Sequence, residues 1–239
     1  MKKQKKLVVF TGAGMSADSG LSTFRDSDGL WDKYRIEDVC TPEALSRNRE
    51  TVIRFYNIRR KELLTVEPNA GHRALARLEP YFDTEIITQN IDDLHERAGS
   101  HHVTHLHGEL RKLRSSKNES LIVPIDGWEQ KLDDRAPDGS LLRPFVVFFG
   151  EGVPMFDQAT KIAATADLFV VIGTSLAVYP AAALVRYIRP DIPVFLVDPN
   201  RPDLSGIRNP LEYIPMRASE GVPELVDRLI KEYGVSSSN

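Results

Sequence analysis

The chain has 239 residues, 41% of them hydrophobic, a formal charge of -3 and a single cysteine, Cys40. That is material for one sizeable domain, or one domain carrying a smaller insertion. It excludes the basic face that an obligatory nucleic-acid partner needs, an internal disulfide framework, any zinc site with two or more thiolates and an apolar run long enough to span a membrane.

In chain order, the basic start holds Lys2, Lys3, Lys5 and Lys6 ahead of a short apolar run, "LVVF" (7–10). That run is too short for a signal peptide, so the lysines read as a solvated tail of a soluble, cytoplasmic protein. Similar Val-, Ile- and Phe-rich runs follow: "EIIT" (85–88), "VTHL" (103–106), "FVVFF" (145–149), "LFVVI" (168–172) and "VFLV" (194–197). Apolar side chains on consecutive positions suit strands buried on both faces of a parallel sheet. Helical patterns separate them at 50–64, 69–79, 155–166 and 180–190, and 222–234 reads as a closing helix ended by Gly234. Alternating strands and helices predict an α/β, Rossmann-like doubly wound parallel sheet. Residues 26–79, without a convincing strand, and 111–143, rich in charge, Gly and Pro, break the alternation. They read as insertions forming a smaller lobe within a single domain.

Ligands of an open α/β sheet bind beyond the carboxyl ends of the strands. Those ends carry "TGAG", "QNIDD", "HGE", "GE", "GTS" and "DPN", a concentration of small, amide, carboxylate and imidazole groups that turns alone do not require. Gly12-x-Gly14-x-x-Ala17 follows the first strand. Such glycines let the backbone approach a pyrophosphate, and a following helix start would offer N–H donors. The plainer reading is a tight strand-to-helix turn. Asp32 has the spacing of a dehydrogenase ribose ligand, but "GLWDKYR" is not a strand, so an ordinary dehydrogenase site is not expected.

Taken together, "GAGMSADSGLSTFR" (12–25), "TQNIDDLHERAG" (88–99), "HLHGE" (105–109), "FFGE" (148–151) and "GTSLAVYPAA" (173–182) resemble the sirtuins, the NAD-dependent protein deacylases. The resemblance runs in order along nearly the whole chain. It implies that Gly12, Ala13 and Gly14 cradle the NAD phosphates, with Ser16, Ala17, Phe24 and Arg25 lining the same pocket. Gln89, Asn90, Ile91 and Asp92 would surround the nicotinamide ribose, with Asn90 and Asp92 as catalytic residues and His107 as general base. Gly173, Thr174 and Ser175 would contact the nucleotide, Asn200 the adenosine ribose, and Ala218 the adenine through its backbone. The implied reaction removes an acetyl, succinyl or malonyl group from protein lysine and yields nicotinamide and O-acyl-ADP-ribose. An acyl-lysine strand would lie between Val147, Phe148 and Gly150 on one side and Val178 on the other. Imidazole titrates near neutrality, which suits His107 to proton abstraction.

His101, His102, His105 and His107 lie within seven residues. A metal is not expected there, because no carboxylate pair accompanies them and His105 and His107 point the same way on a strand. His72 and His95 read as helix-surface or packing residues. Tyr56 and Arg59 stand three apart on a predicted helix and so share a face. Spacing alone favours a core tyrosine and a solvated arginine. The sirtuin resemblance reverses that, because "Y-x-x-R" marks members that remove acidic acyl groups, and phenol plus guanidinium makes a carboxylate receptor. One departure is plain: most sirtuins hold a small-lobe zinc with four cysteines, whereas Ser115 stands where the first would fall. No zinc is expected, and packing by Leu113, Leu121, Ile122, Val123, Ile125 and Trp128 is expected to replace it. Without long extensions the chain resembles bacterial-type members. Two alternatives remain: an NAD or ADP-ribose-binding module with weak turnover, and a protein ADP-ribosyltransferase.

Overall fold

The computed structural model describes residues 3–21, 34–205 and 207–235; Phe24, Arg25 and Asp32 lie outside them. Six parallel strands form the main sheet: β1 Lys6–Thr11, β2 Asp83–Thr88, β3 Val103–His105, β7 Leu168–Ile172, β8 Val194–Val197 and β9 Leu211–Ile214, in the order β3-β2-β1-β7-β8-β9. A second, antiparallel sheet joins β5 Ile122–Pro124, β4 Gly108–Ser115 and β6 Leu142–Val146. The helices are α1 Gly14–Ala17, α2 Ile36–Val39, α3 Pro42–Arg47, α4 Arg49–Leu63, α5 Ala70–Ala76, α6 Leu94–Arg97, α7 Phe156–Ala164 and α8 Ala218–Tyr233. The fold is Rossmann-like α/β.

The period-two pleat explains the consecutive apolar runs. In β1, Leu7 and Val9 face one core with Ala74 and Leu75 of α5 and Val222, Leu225 and Leu229 of α8. Val8 and Phe10 face the other core with Ala159 and Ala163 of α7. Both faces are covered, as an all-parallel sheet requires. Each of these fully buried Leu, Val and Phe side chains stabilises by about 1.5–3 kcal/mol. The chain leaves β1 for β2 and β3 on one side, then returns to β7 on the other. The topological switch therefore falls between β1 and β7, where a crevice opens.

A third core joins Val39, Val52, Phe55, Tyr56 and Leu63 of the 36–63 helices to Leu110 of β4 and Val146 of β6. Here the fold departs from the sequence expectation. The "FVVFF" run does not enter the parallel sheet: its strand is Leu142–Val146, paired antiparallel with β4, and 147–149 continue as loop. Val146 and Phe148 face this third core instead, while Phe149 is exposed. The 180–190 helix is a short 3-10 helix, Ala181–Arg186. The closing helix starts at Ala218 rather than 222, and Gly234 follows it in extended backbone.

The 111–143 segment is held partly by polar groups. The Ser115 hydroxyl donates to Asp138 Oδ2 at 2.7 Å, contacts the Ser140 hydroxyl at 2.7 Å, and accepts from the Lys117 and Asn118 N–H groups. Arg60, buried in α4, donates to the carbonyl of Leu110 and the side chains of Asn57 and Gln130. Leu113, Ile125 and Leu142 bury around a small apolar cluster with Leu121 and Val123 against it. Ile122 and Trp128 do not join it; both are exposed, because β5 is an edge strand and the Trp128 ring lies under Lys61 Nζ.

Candidate active site

One cavity of about 750 Å³ opens beyond the carboxyl edge of the sheet, over the β1/β7 switch. It gathers every sequence-predicted site residue that the structure describes. Gly12, Ala13, Gly14, Ser16 and Ala17 line it from the first turn, and Gln89, Asn90, Ile91, Asp92 and His107 from the loops after β2 and β3. Gly173, Thr174 and Ser175 follow β7; Asn200 and Ala218 close the far end. Tyr56 and Arg59 line the opposite end, with Val147, Phe148, Gly150 and Val178 along one edge.

Local geometry explains the glycines. Gly173 has φ +59, and a Cβ there would lie 2.4 Å from the Met15 nitrogen and 2.5 Å from the Gly14 carbonyl carbon. Turns after two adjacent strands thus touch backbone to backbone, which only glycine allows. The turn offers fewer amides than its motif promises. The N–H groups of Gly12, Gly14, Met15, Ser16 and Ala17 already donate to Ile172, Gly173, Gly12 and Ala13 carbonyls. Among the described residues only the Ala13 N–H of this turn lacks a carbonyl partner, because the others close onto β7, Gly173 and the turn itself.

The loop after β2 is fixed from several sides. Gln89 Nε2 donates to Thr174 Oγ1 at 2.9 Å, and Asn90 Nδ2 donates to the Gly12 carbonyl and to Ser16 Oγ. Asp92 accepts from the Leu94 N–H. Its burial raises the carboxyl above its ordinary range, opposed by the Ser16 and Leu94 hydrogen bonds and the His105 charge. His107 sits in the turn between β3 and β4, not on a strand. Its Nδ1 donates to the Gln89 carbonyl at 3.0 Å, and burial lowers its pKa, opposed by that bond. The imidazole is therefore neutral near pH 7, with Nε2 as its basic atom. Gly108 follows because φ is +83 and a Cβ would strike the Phe145 carbonyl at 2.2 Å.

The Tyr56 ring is buried, stacked on Phe148 at 5.9 Å, and its hydroxyl lies 3.5 Å from Cys40 Sγ. Burial lowers the Arg59 pKa, opposed by Glu62, Tyr56, Asp92 and Cys40. Arginine remains charged at neutral pH all the same. Cys40 lines the cavity beside them, and burial pushes its thiol up to about 11. Sequence reading missed it because a lone cysteine carries no pattern. It also missed the clip that holds the 147–150 edge: Arg143 donates to Glu151 through both terminal nitrogens, Nη1 and Nη2, at 2.6 and 3.1 Å, and Glu151 accepts from the Phe148 N–H. At the far end Asp198, after β8, accepts from the Asn200 N–H; its signal was an acid directly after an apolar strand.

The other histidines have separate places. His101 and His102 are exposed, and His101 meets Glu79. His72 and His95 are both packing residues rather than surface ones: His72 completes the cap of α5 with Asn69, and His95 lies 3.1 Å from Thr11 Oγ1. Among the described residues no group of three or more His, Cys, Asp or Glu is placed to hold a metal.

Comparison with known proteins accords with this arrangement. The family model described as "Sir2 family" matches residues 12–180, which include the glycine turn, the 89–92 loop and His107. The chain belongs to the Sir2 family. It is 53% identical over 231 residues to an NAD-dependent protein deacylase of Bacteroides thetaiotaomicron, covering 95% of this chain and 98% of that one. An NAD-dependent protein deacylase of Helicobacter pylori is 44% identical over 229 residues, with 95% and 98% covered. Among solved Sir2 structures, an ADP-ribose complex of a Sir2 homologue matches with TM-score 0.86 at 38% identity, covering 96% and 93%. An NAD complex of a Sir2 homologue matches with TM-score 0.84, also at 38% identity, covering 96% and 91%.

Proposed function

We infer that this Sir2-family chain is an NAD-dependent protein deacylase, and we propose that it accepts acidic acyl groups on lysine. The observation that carries the reading is a single cavity, continuous from the glycine turns through His107 to Tyr56 and Arg59. The cavity suits a dinucleotide. Its volume lies in the range of small-molecule sites, and the glycine turns after β1 and β7 both line it. Gly12, Ala13, Gly14, Ser16 and Ala17 would hold its phosphates, Gln89, Asn90, Ile91 and Asp92 its nicotinamide ribose, and Gly173, Thr174, Ser175, Asn200 and Ala218 its nucleotide end. When bound, NAD supplies an electrophilic ribose C1′ from which nicotinamide can leave.

The chain's own groups do the rest. His107 Nε2 takes a proton from a ribose hydroxyl while Nδ1–H stays on the Gln89 carbonyl. With its Nδ2 spent on Gly12 and Ser16, Asn90 presents its amide oxygen to ribose or water. The acyl-lysine lies along Val147, Phe148 and Gly150, opposite Val178, and its acyl tail reaches Tyr56 and Arg59. A carboxylate there receives the guanidinium charge and the phenol O–H. The Cys40 thiol forms part of that wall and stays protonated.

In the same proposal, residues 34–63 and the β4–β6 sheet form a smaller lobe, held without zinc by the Ser115–Asp138–Ser140 and Arg60–Gln130 hydrogen bonds. A cytoplasmic location accords with its single, buried cysteine. The test is incubation with NAD and matched acetyl-, succinyl- and malonyl-lysine peptides, following nicotinamide and deacylated peptide by mass spectrometry. NAD-dependent deacylation with acidic groups preferred is expected. Acetyl preference would remove the role of Tyr56 and Arg59, and label passing from NAD to protein without deacylation would replace the deacylase by an ADP-ribosyltransferase.

A further inference from the structure

Two imidazoles, two residues apart, hold consecutive carbonyls of the 89–92 loop. His107 Nδ1 lies 3.0 Å from the Gln89 oxygen and His105 Nδ1 lies 2.9 Å from the Asn90 oxygen. Only His107 lines the cavity. His105 turns inward, its side chain 7% exposed, and its Nε2 lies 2.7 Å from Glu96 Oε1. A carbonyl and a carboxylate only accept, so His105 satisfies both at once only as the imidazolium, donating from each nitrogen. We propose that His105 and Glu96 are positioning residues for deacylation: their ion pair anchors the Asn90 carbonyl and so sets how the Asn90 and Asp92 side chains stand toward NAD. The proposal rests on the reading of Asn90, Asp92 and His107 as the reacting end.

The surroundings favour this state. The charged and titratable groups facing His105 are Glu96 and His95 from α6, Glu109 from β4 and Asp92 from the loop itself. Burial alone would lower its pKa, but the Glu96 bond and charge, the Asn90 carbonyl and Glu109 raise it. His95 stays neutral in its buried place. The two site imidazoles are thereby set in opposite states, His105 charged as an anchor and His107 neutral as a base. On deprotonation His105 keeps one donor, and either Asn90 or Glu96 loses its bond. Activity should then rise with pH through the lowered His107 value and fall through the raised His105 value.

Glu96→Gln removes the charge and keeps the shape. Its kcat should fall about fivefold to tenfold and its alkaline limb should move down by about one pH unit, with the peptide KM changed less than about twofold. Glu96→Asp should recover part of kcat. A Glu96→Gln enzyme with wild-type kcat and an unmoved alkaline limb overturns the proposal. A melting temperature that drops while kcat and the pH profile stay wild-type reduces the pair to a structural role. An imidazole ¹⁵N titration of the wild type needs no variant to fold: both ring nitrogens of His105 protonated at pH 7 is expected, and a neutral ring overturns the anchor. His107→Ala separates the two levels, because retained turnover there sinks the reading of the reacting end rather than the anchor.

Discussion

Replacing Arg59 by methionine should change which acyl group the enzyme takes while leaving the fold intact. Arg59 projects from α4 into the end of the cavity that Tyr56, Cys40 and Phe148 wall off. A succinyl or malonyl carboxylate bound there receives charge-assisted hydrogen bonds, together worth about 1.5–3 kcal/mol. Their loss predicts a drop of about 10- to 150-fold in kcat/KM for those substrates. An acetyl group has no carboxylate, so its kcat/KM should change less than about threefold. Folding should not suffer. Burial lowers the Arg59 pKa, which means the charged guanidinium is less favoured in the fold than in the unfolded chain. Methionine fills similar volume without that cost, so the melting temperature should hold or rise. Steady-state kinetics on the paired peptides, with a melt of each protein, would decide it. Equal losses on succinyl and acetyl peptides, or a destabilised variant, would refute the reasoning.

Three other outcomes follow from named contacts. His72 is buried with a pKa lowered to about 4, against about 6.5 for the unfolded chain, so the unfolded state binds the extra proton first. Stability should be full above about pH 6.5 and fall towards pH 4, by about 3 kcal/mol from this residue, with a flatter urea-unfolding profile for His72→Gln; parallel wild-type and variant profiles would refute it. Ser115→Ala strands the Lys117 and Asn118 N–H groups and removes partners from Asp138 and Ser140, and should cost about 1–3 kcal/mol in chemical denaturation, whereas a metal chelator should leave the wild-type melt unchanged. Glu151→Gln loosens the Arg143 clip and the Phe148 N–H contact. It should raise the peptide KM about 3- to 10-fold with the NAD KM unchanged, in initial-rate kinetics varying each substrate in turn.

The parallel sheet was legible because both its faces are covered, which forces runs such as Leu7–Phe10 and Leu168–Ile172 to be apolar at every position. The part of the site around Gly12, Gln89, His107 and Gly173 was legible because those residues stand just after the sheet's strands, where topology and motif coincide. Legibility failed wherever an apolar pattern serves a different partner. Phe145 to Phe149 has the composition of a central strand, yet only part of it pairs, at the edge of the small sheet, because Phe148 is needed against Tyr56. Contacts between distant segments were also silent. Nothing near Ser115 in the sequence announces Asp138 and Ser140, and nothing near Asn90 announces the His105–Glu96 pair. The amide donors expected of the glycine turn were overcounted, because spacing does not reveal that α1 stops after one turn and closes on Gly173.

Arg59 and Arg60 show how far spacing can take such an argument. On a helix both lie one turn from Tyr56, at i+3 and i+4, so the pattern alone gives either arginine the same claim to the acyl group. The partners separate them. Arg60 is fully buried, and its nitrogens are spent on the Leu110 and Trp128 carbonyls, Asn57 Oδ1 and Gln130 Oε1. Those acceptors are neutral oxygens of α4 itself, of β4 and of the segment that follows β4, so the buried guanidinium acts as a tie between α4 and the small sheet, out of a substrate's reach. Burial brings its pKa to about 10, still well above neutrality, so the tie is permanent under working conditions. Arg59, one residue earlier, is rotated about 100° around the axis, and that rotation brings it to the cavity wall. One turn of helix thus carries the proposed acyl receptor and the structural tie side by side, so in that reading the tie to β4 also fixes where the receptor stands.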